Sequence, residues 1–198
     1  MIITVYDTET NGLDTKNGFI QEIAWATYDV SFLSEWRLIA SESHLLKWSE
    51  EYPVDQKAIE ITGIDRNFCH LRGIDPYWAF NGFFMATKRS ELLAGQNVML
   101  FDSPMVDSNL IRTRENERRT GNHNAFLSHI ETRKYKHIDS YFDIHGPIKP
   151  KSLKYFALDH GYVLNNAHSA IHDVFACAHI LSRYPIDELV YSAIHPLV

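Results

Sequence analysis

Ile2-Ile3-Thr4-Val5-Tyr6-Asp7-Thr8-Glu9-Thr10-Asn11-Gly12-Leu13 begins as a short apolar strand, Ile2–Asp7, and leads into two carboxylates two positions apart. Strand side chains alternate between faces, so Asp7 and Glu9 project to the same side. Asn11-Gly12 is a turn signal that takes the chain away. Two like charges at one strand end repel unless a cation lies between them, and hard divalent cations prefer such oxygen donors. Further oxygen ligands must then come from elsewhere in the chain.

Outward from this stretch, Phe19–Val30 reads as a second strand and Trp36–Leu46 as a third, with connections short enough for an antiparallel meander. Asp55–Ile61 is a short helix, followed by Thr62-Gly63-Ile64, and Asp65–Asp75 reads as loop. Asp75-Pro76, an N-cap with Pro at the first helical position, opens a helix carrying Trp78, Phe80, Phe83, Phe84 and Leu92 to a stop at Gly95. Its aromatics read as core. Asn97–Phe101 is a fourth short apolar strand ending at Asp102, and Ser103-Pro104 caps a helix through about Arg119. The charged run Arg112–Arg119 is either a solvated helix face or a phosphate-contacting edge.

Lys136–Tyr141 is the fifth strand candidate. Helices follow over Pro150–His160, closed by Gly161, and over His168–Tyr184, stopped by Pro185, with a short last helix after it. The expected fold class is α/β: a mixed five-stranded sheet, strands 1–3 antiparallel and strands 4–5 parallel, with helices on both faces. One domain over residues 1–198 is expected from the length.

The formal charge of −6 offers no global positive field to nucleic acid or to an anionic membrane, so a phosphate-bearing ligand must be held by local groups or metals. Cys69 and Cys177 stand alone, which fits reduced, buried thiols. With no signal-peptide pattern and no apolar run of the ~18 residues a membrane helix needs, an intracellular, cytoplasmic protein without membrane contact is expected.

Asp102 falls at a predicted strand end, where ligands bind in open α/β sheets. Alone it also reads as an Asx turn or helix cap, although Ser103 can cap instead. Asp173 falls on the apolar side of a helix that also carries Ile171, Val174 and Phe175, where a carboxylate is costly without a partner. Four carboxylates around one cleft suggest a two-metal site with ions ~3.5–4 Å apart, suited to in-line displacement at phosphorus. His168, at the start of that helix, is the candidate to take a proton from attacking water, with His172 as its rival.

Taken together these residues resemble the DEDD superfamily of 3′→5′ exonucleases, DnaQ-like, in its His-containing DEDDh branch. Asp7-Thr8-Glu9-Thr10-Asn11-Gly12-Leu13 is similar to its first motif, Phe101-Asp102 to its second, and His168 with Asp173, an H-x4-D spacing, to its third. Ile20-Gln21-Glu22-Ile23-Ala24 resembles the family's second strand, Ile61-Thr62-Gly63-Ile64 its substrate-contacting turn, and Ile138-Asp139-Ser140 its fifth strand. The resemblance implies an RNase H-like fold and two Mg²⁺ or Mn²⁺ ions. Asp7 would bridge both ions, Glu9 and Asp173 would hold the one that activates water, Asp102 would support the other, and His168 would be the general base. Leu13, Ile64, Phe101 and the backbone near Thr10 would meet the terminal nucleotides. The sequence departs from the family pattern before Asp102: the usual His is absent, and the role of Asn97 is open.

The implied partner is the 3′ end of a single-stranded nucleic acid, with DNA favoured. An oligoribonuclease-like RNA-trimming enzyme is the alternative. A non-catalytic nucleic-acid-binding protein on the same fold has no physical reason to retain four mutually repelling acids. A structural protein whose acids are all caps and turns would not be stabilised by added metal.

Overall fold

The computed structural model describes residues 1–31, 33–49, 51–121, 131–144 and 152–194. β1 (Ile2–Thr10) lies in the middle of the sheet. It pairs antiparallel with β2 (Ile20–Val30), which pairs antiparallel with β3 (Trp36–Leu45). On its other side β1 runs parallel to β4 (Leu92–Gly95), and β4 runs parallel to β5 (His137–Asp139). The strand order β3-β2-β1-β4-β5 is the expected mixed arrangement, three antiparallel strands followed by two parallel ones.

The period of two along β1 sorts its side chains into two layers. Tyr6 joins Trp25, Phe80, Phe83, Met105 and Leu110 in a core beneath α3 (Pro76–Thr87) and α4 (Asp102–Thr120). Phe80 and Phe83 are fully buried there, and truncating either to Ala costs about 3–5 kcal/mol. Ile3 and Val5 face the opposite core, with Val174, Cys177 and Leu181 of α6 (Ala170–Leu181) and Leu189 of α7 (Ile186–Ile194). Small residues line that seam, Ala24 and Ala26 on β2 and Ala170 and Ala178 on α6, so the helix approaches the sheet closely. Asp7 and Glu9 continue the Ile3–Val5 series and thus face α6.

Four local expectations are corrected. β4 is Leu92–Gly95 and not Asn97–Phe101; the helix opened by Asp75-Pro76 ends at Thr87, short of Gly95. Residues 97–101 instead form a turn, because Asp139 accepts hydrogen bonds from the backbone amides of Asn97 (2.9 Å) and Met99 (3.1 Å) and curls the segment. Asn97 makes the bend with a left-handed backbone, φ 56°. Gly95 is required where β4 passes β1, since a Cβ there would lie 2.9 Å from the Tyr6 carbonyl oxygen.

The Asp65–Asp75 segment is not wholly loop, for α2 (Arg66–Arg72) lies within it. Its signals are local: Asp65 caps the Phe68 amide at 2.6 Å, and the Gly73 amide closes the helix on the Cys69 carbonyl. The fifth strand is shorter than Lys136–Tyr141, because the chain winds into a π-helical turn, Ser140–Ile144, directly after Asp139. α1 (Gln56–Thr62) forms where Asp55–Ile61 is expected but runs one residue further, to Thr62; α5 (Leu153–Asp159) forms within its predicted span, and the Pro150–Lys151 start proposed for it lies outside the described residues.

Arg112 of the charged α4 run is turned inward. Its guanidinium lies 3.8 Å over the Phe19 ring and donates to the carbonyls of Gly18 (2.9 Å) and Asn17 (3.1 Å). It thereby clamps the loop between β1 and β2 onto α4.

Candidate active site

β1 delivers Asp7 and Glu9 to the α6 side at its carboxyl end, next to a register shift at Glu9/Thr10. α6 delivers Asp173 from its first turn, where the unsatisfied amides of a helix start favour a negative charge. His168 precedes the helix in a left-handed conformation, φ 68°, and its amide donates to Asp173 Oδ2 at 3.2 Å. This turn folds the H-x4-D motif back on itself. One ligating atom each of Glu9, His168 and Asp173 falls within 4.8 Å of the others. Among the described residues this is the one such group of three or more His, Cys, Asp or Glu.

Asp102 reaches the site from the other layer. It opens α4 instead of ending a strand, and is buried. Its Oδ1 accepts from the Thr8 amide (2.9 Å) and the Thr8 hydroxyl (2.6 Å). Thr8 sits between Asp7 and Glu9 on β1 with its side chain on the α4 side, so it locks the second acidic motif onto the first.

The electrostatics bind the four acids into one unit. Burial holds the Asp7 carboxyl well above its ordinary range, and Asp102, Glu9, Asp173 and Glu22 push it the same way. Burial, then Asp173, Glu22 and Asp102, raises Glu9 to about 8. Asp102 is pushed up to about 7 by burial, against the opposing hydrogen bonds from Thr8. Burial, with a contribution from Glu22, raises Asp173 to about 6 against the bond from the His168 amide. Among the described residues the buried Asp173 Oδ1 has no hydrogen-bond partner. An unpartnered carboxylate oxygen among mutually repelling acids is the environment that a divalent cation relieves, and its hard-oxygen and imidazole donors suit such an ion.

Beside Glu9 opens a cleft of about 290 Å³, close to the lower end of the ~300–1,000 Å³ range of ligand sites. Thr10, Leu13 and Phe101 line it, as do Gly12, Lys57 and Ala58. Ile64 does not; it is buried, and Ile61 and Thr62 form that wall in its place. The Thr10 hydroxyl donates to the Gly12 carbonyl (2.7 Å) and shapes the turn at the cleft's edge.

Glu22 is a fifth acid, which sequence reading placed only as part of the second strand. It is buried, lies directly across from Glu9 in the β1–β2 register, and adds to the negative potential at Asp7, Glu9 and Asp173. A carboxylate inside a strand otherwise buried on both faces is the signal that could have found it.

The RNase T exonuclease family matches residues 4–181. The chain belongs to that family. No curated protein matches this exonuclease-family chain. Solved structures do. E. coli exonuclease I in complex with a dA16 oligonucleotide is 19% identical, with a TM-score of 0.71 over 98% of this chain and 43% of that one. The zinc-ion-bound E. coli exonuclease I–ssDNA complex matches equally, with 19% identity, TM-score 0.71, and 98% and 43% coverage. A moderately thermophilic exonuclease I from Methylocaldum szegediense is 16% identical, with a TM-score of 0.68 over 96% of this chain and 42% of that one. At these identities the likeness is one of fold, and the chain spans less than half the length of the solved chains. No helix among the described residues is long and apolar enough to cross a membrane.

Proposed function

We propose that residues 1–198 act as one metal-dependent 3′→5′ exonuclease domain. It would shorten single-stranded nucleic acid from the 3′ end, DNA in preference to RNA, and release nucleoside 5′-monophosphates. The observation that carries this reading is the convergence of Glu9, His168 and Asp173, with a buried, unpartnered oxygen on Asp173. Asp7, Glu9, Asp102 and Asp173 would hold two Mg²⁺ or Mn²⁺ ions. Bound there, the ions supply the charge that promotes attack of water at the phosphodiester and stabilises the departing 3′ oxygen.

The protein's own part is positioning and proton transfer. His168 is exposed at the rim beside Glu9 and Asp173 and accepts the proton of the attacking water. Its amide bond to Asp173 and its left-handed backbone fix where the ring leaves the chain. Thr10, Leu13 and Phe101 receive the terminal nucleotide in the cleft beside Glu9, with Ile61 and Thr62 on the facing wall. Support for DNA comes from two of the E. coli exonuclease I structures, one a complex with ssDNA and one a complex with a dA16 oligonucleotide. Cytoplasmic action belongs to the same proposal, supported by two free, buried cysteines.

The test is cleavage of two 5′-labelled oligonucleotides of one sequence, DNA and RNA, with Mg²⁺, Mn²⁺ or EDTA. A metal-dependent ladder shortening from the 3′ end, faster on DNA, is the expected result. Faster RNA trimming would replace the substrate, and cleavage of neither strand by folded protein would remove the catalytic reading.

A further inference from the structure

Glu22 and Glu9 face each other on neighbouring strands, an arrangement that is unfavourable for like charges. The two differ in how their surroundings treat them. Both Glu22 oxygens have donors: the Ser43 hydroxyl of β3 gives to Oε1 at 2.5 Å, and the Ala170 amide gives to Oε2 at 3.3 Å. Asp173, by contrast, keeps one oxygen without a hydrogen-bond partner among the described residues. A carboxylate satisfied on both oxygens by the protein is built as a support, whereas one left unsatisfied is built as a ligand.

The place where Glu22 grips is informative. Ala170 opens α6, two residues after His168 and three before Asp173. Ser169 accepts from the Asp173 amide at 3.1 Å, so the grip falls inside the turn that joins the two functional residues. Ser43 lies on β3, at the sheet edge beyond β2. The chain Ser43–Glu22–Ala170 therefore runs from the outer strand, past the residue facing Glu9, to the turn that carries His168 and Asp173.

We infer that Glu22 is a positioning residue: through its carboxylate it ties β2 and β3 to the H-x4-D turn and sets the separation between Glu9 and the pair His168–Asp173. The inference rests on the metal-site reading above. Among the described residues the other hydrogen bonds of the His168–Asp173 turn are local, and the turn begins on a left-handed conformation that L side chains rarely adopt, so Glu22 supplies its long-range tie.

The strut is tested by Mn²⁺ affinity, read from metal-induced stabilisation and from a direct binding isotherm, with kcat and KM on a DNA oligonucleotide alongside. Glu22→Ala should weaken Mn²⁺ binding about tenfold or more and lower kcat with KM little changed. Glu22→Gln keeps an oxygen for the Ala170 amide and a group for the Ser43 hydroxyl, so it should restore most of both. If Glu22→Ala does not fold, Ser43→Ala, which frees one end of the strut, should still weaken Mn²⁺ binding by a smaller factor. Wild-type affinity in Glu22→Ala or in Ser43→Ala would overturn the inference. So would Glu22→Gln as impaired as Glu22→Ala, which would assign the effect to charge. Asp7→Ala is the control: wild-type protein that binds Mn²⁺ no better than Asp7→Ala overturns the metal-site reading itself.

Discussion

At Asp102 the protein supplies a counterpart to the carboxylate, and at Asp173 it leaves one oxygen with none. The Thr8 amide and hydroxyl both donate to Asp102 Oδ1, across the seam between β1 and α4. Asp173 takes one bond, from the His168 amide, while its buried Oδ1 stays unpartnered opposite Glu9. One oxygen of Asp102 is thus fixed by the protein, whereas Asp173 keeps a buried oxygen that a cation would satisfy. Pre-satisfied ligands hold geometry, and unsatisfied ones create affinity; a site that must bind metal in a fixed place uses both.

Asp7 belongs to both flanks, since Asp102, Glu9 and Asp173 all act on it. Asp7→Ala should therefore have the largest effect, a loss of cleavage of roughly a thousandfold or more, measured as initial rate on labelled DNA. Without metal the same variant should melt no lower than wild type, because one repelling charge is gone. Next comes His168→Ala, expected to slow cleavage by about a hundredfold, the scale of a general base. His172→Ala should change the rate little, since that ring contacts Ser169 Oγ and Asn166 outside the acidic cluster. A reversed order of the two histidines would reassign the base.

Thr8→Val tests the satisfied flank alone. It keeps the amide bond and the shape but removes the 2.6 Å hydroxyl bond to Asp102, and the rate should fall about tenfold with metal affinity shifted less than in the α6 flank. The smallest effect concerns pH. Folded Asp173, Asp102 and Glu9 hold their protons up to about 6, 7 and 8, above ordinary values of 3.8 for Asp and 4.5 for Glu. These raised values stabilise the protonated fold, so metal-free protein should be most stable below pH 4 as far as these groups are concerned. That contribution should be lost progressively as pH rises through 6 to 8. Melting temperature without metal should accordingly drop by a few degrees between pH 5.5 and 8, and saturating Mg²⁺ should flatten the slope.

The two flanks also differ in how far they could be read from sequence. Asp7, Glu9 and the His168–Asp173 spacing are local patterns, a strand period and a helix start, and the fold places them as those periods imply. Asp102 reads from sequence as a candidate at a strand end, because the residues before it look like a strand, yet it opens a helix. Their true shape is set by Asp139, some forty positions away, gripping the Asn97 and Met99 amides. Local propensity does not contain that bond. β4 was hidden for a related reason: Leu92 extends the apolar series of α3, and nothing as strong as glycine marks the helix end at Thr87. Glu22 was in view within its strand, but its use depends on α6 arriving 148 positions later.

The Arg112 clamp has a thermodynamic consequence for substrate capture. A guanidinium stacked on Phe19 and bonded to the Asn17 and Gly18 carbonyls displaces no condensed counterions from a bound strand. Each cation withheld from a phosphate removes about 0.7 from the slope of log affinity against log salt for a single strand. In a chain of net charge −6, nucleic-acid binding should therefore vary gently with monovalent salt and steeply with divalent ion concentration.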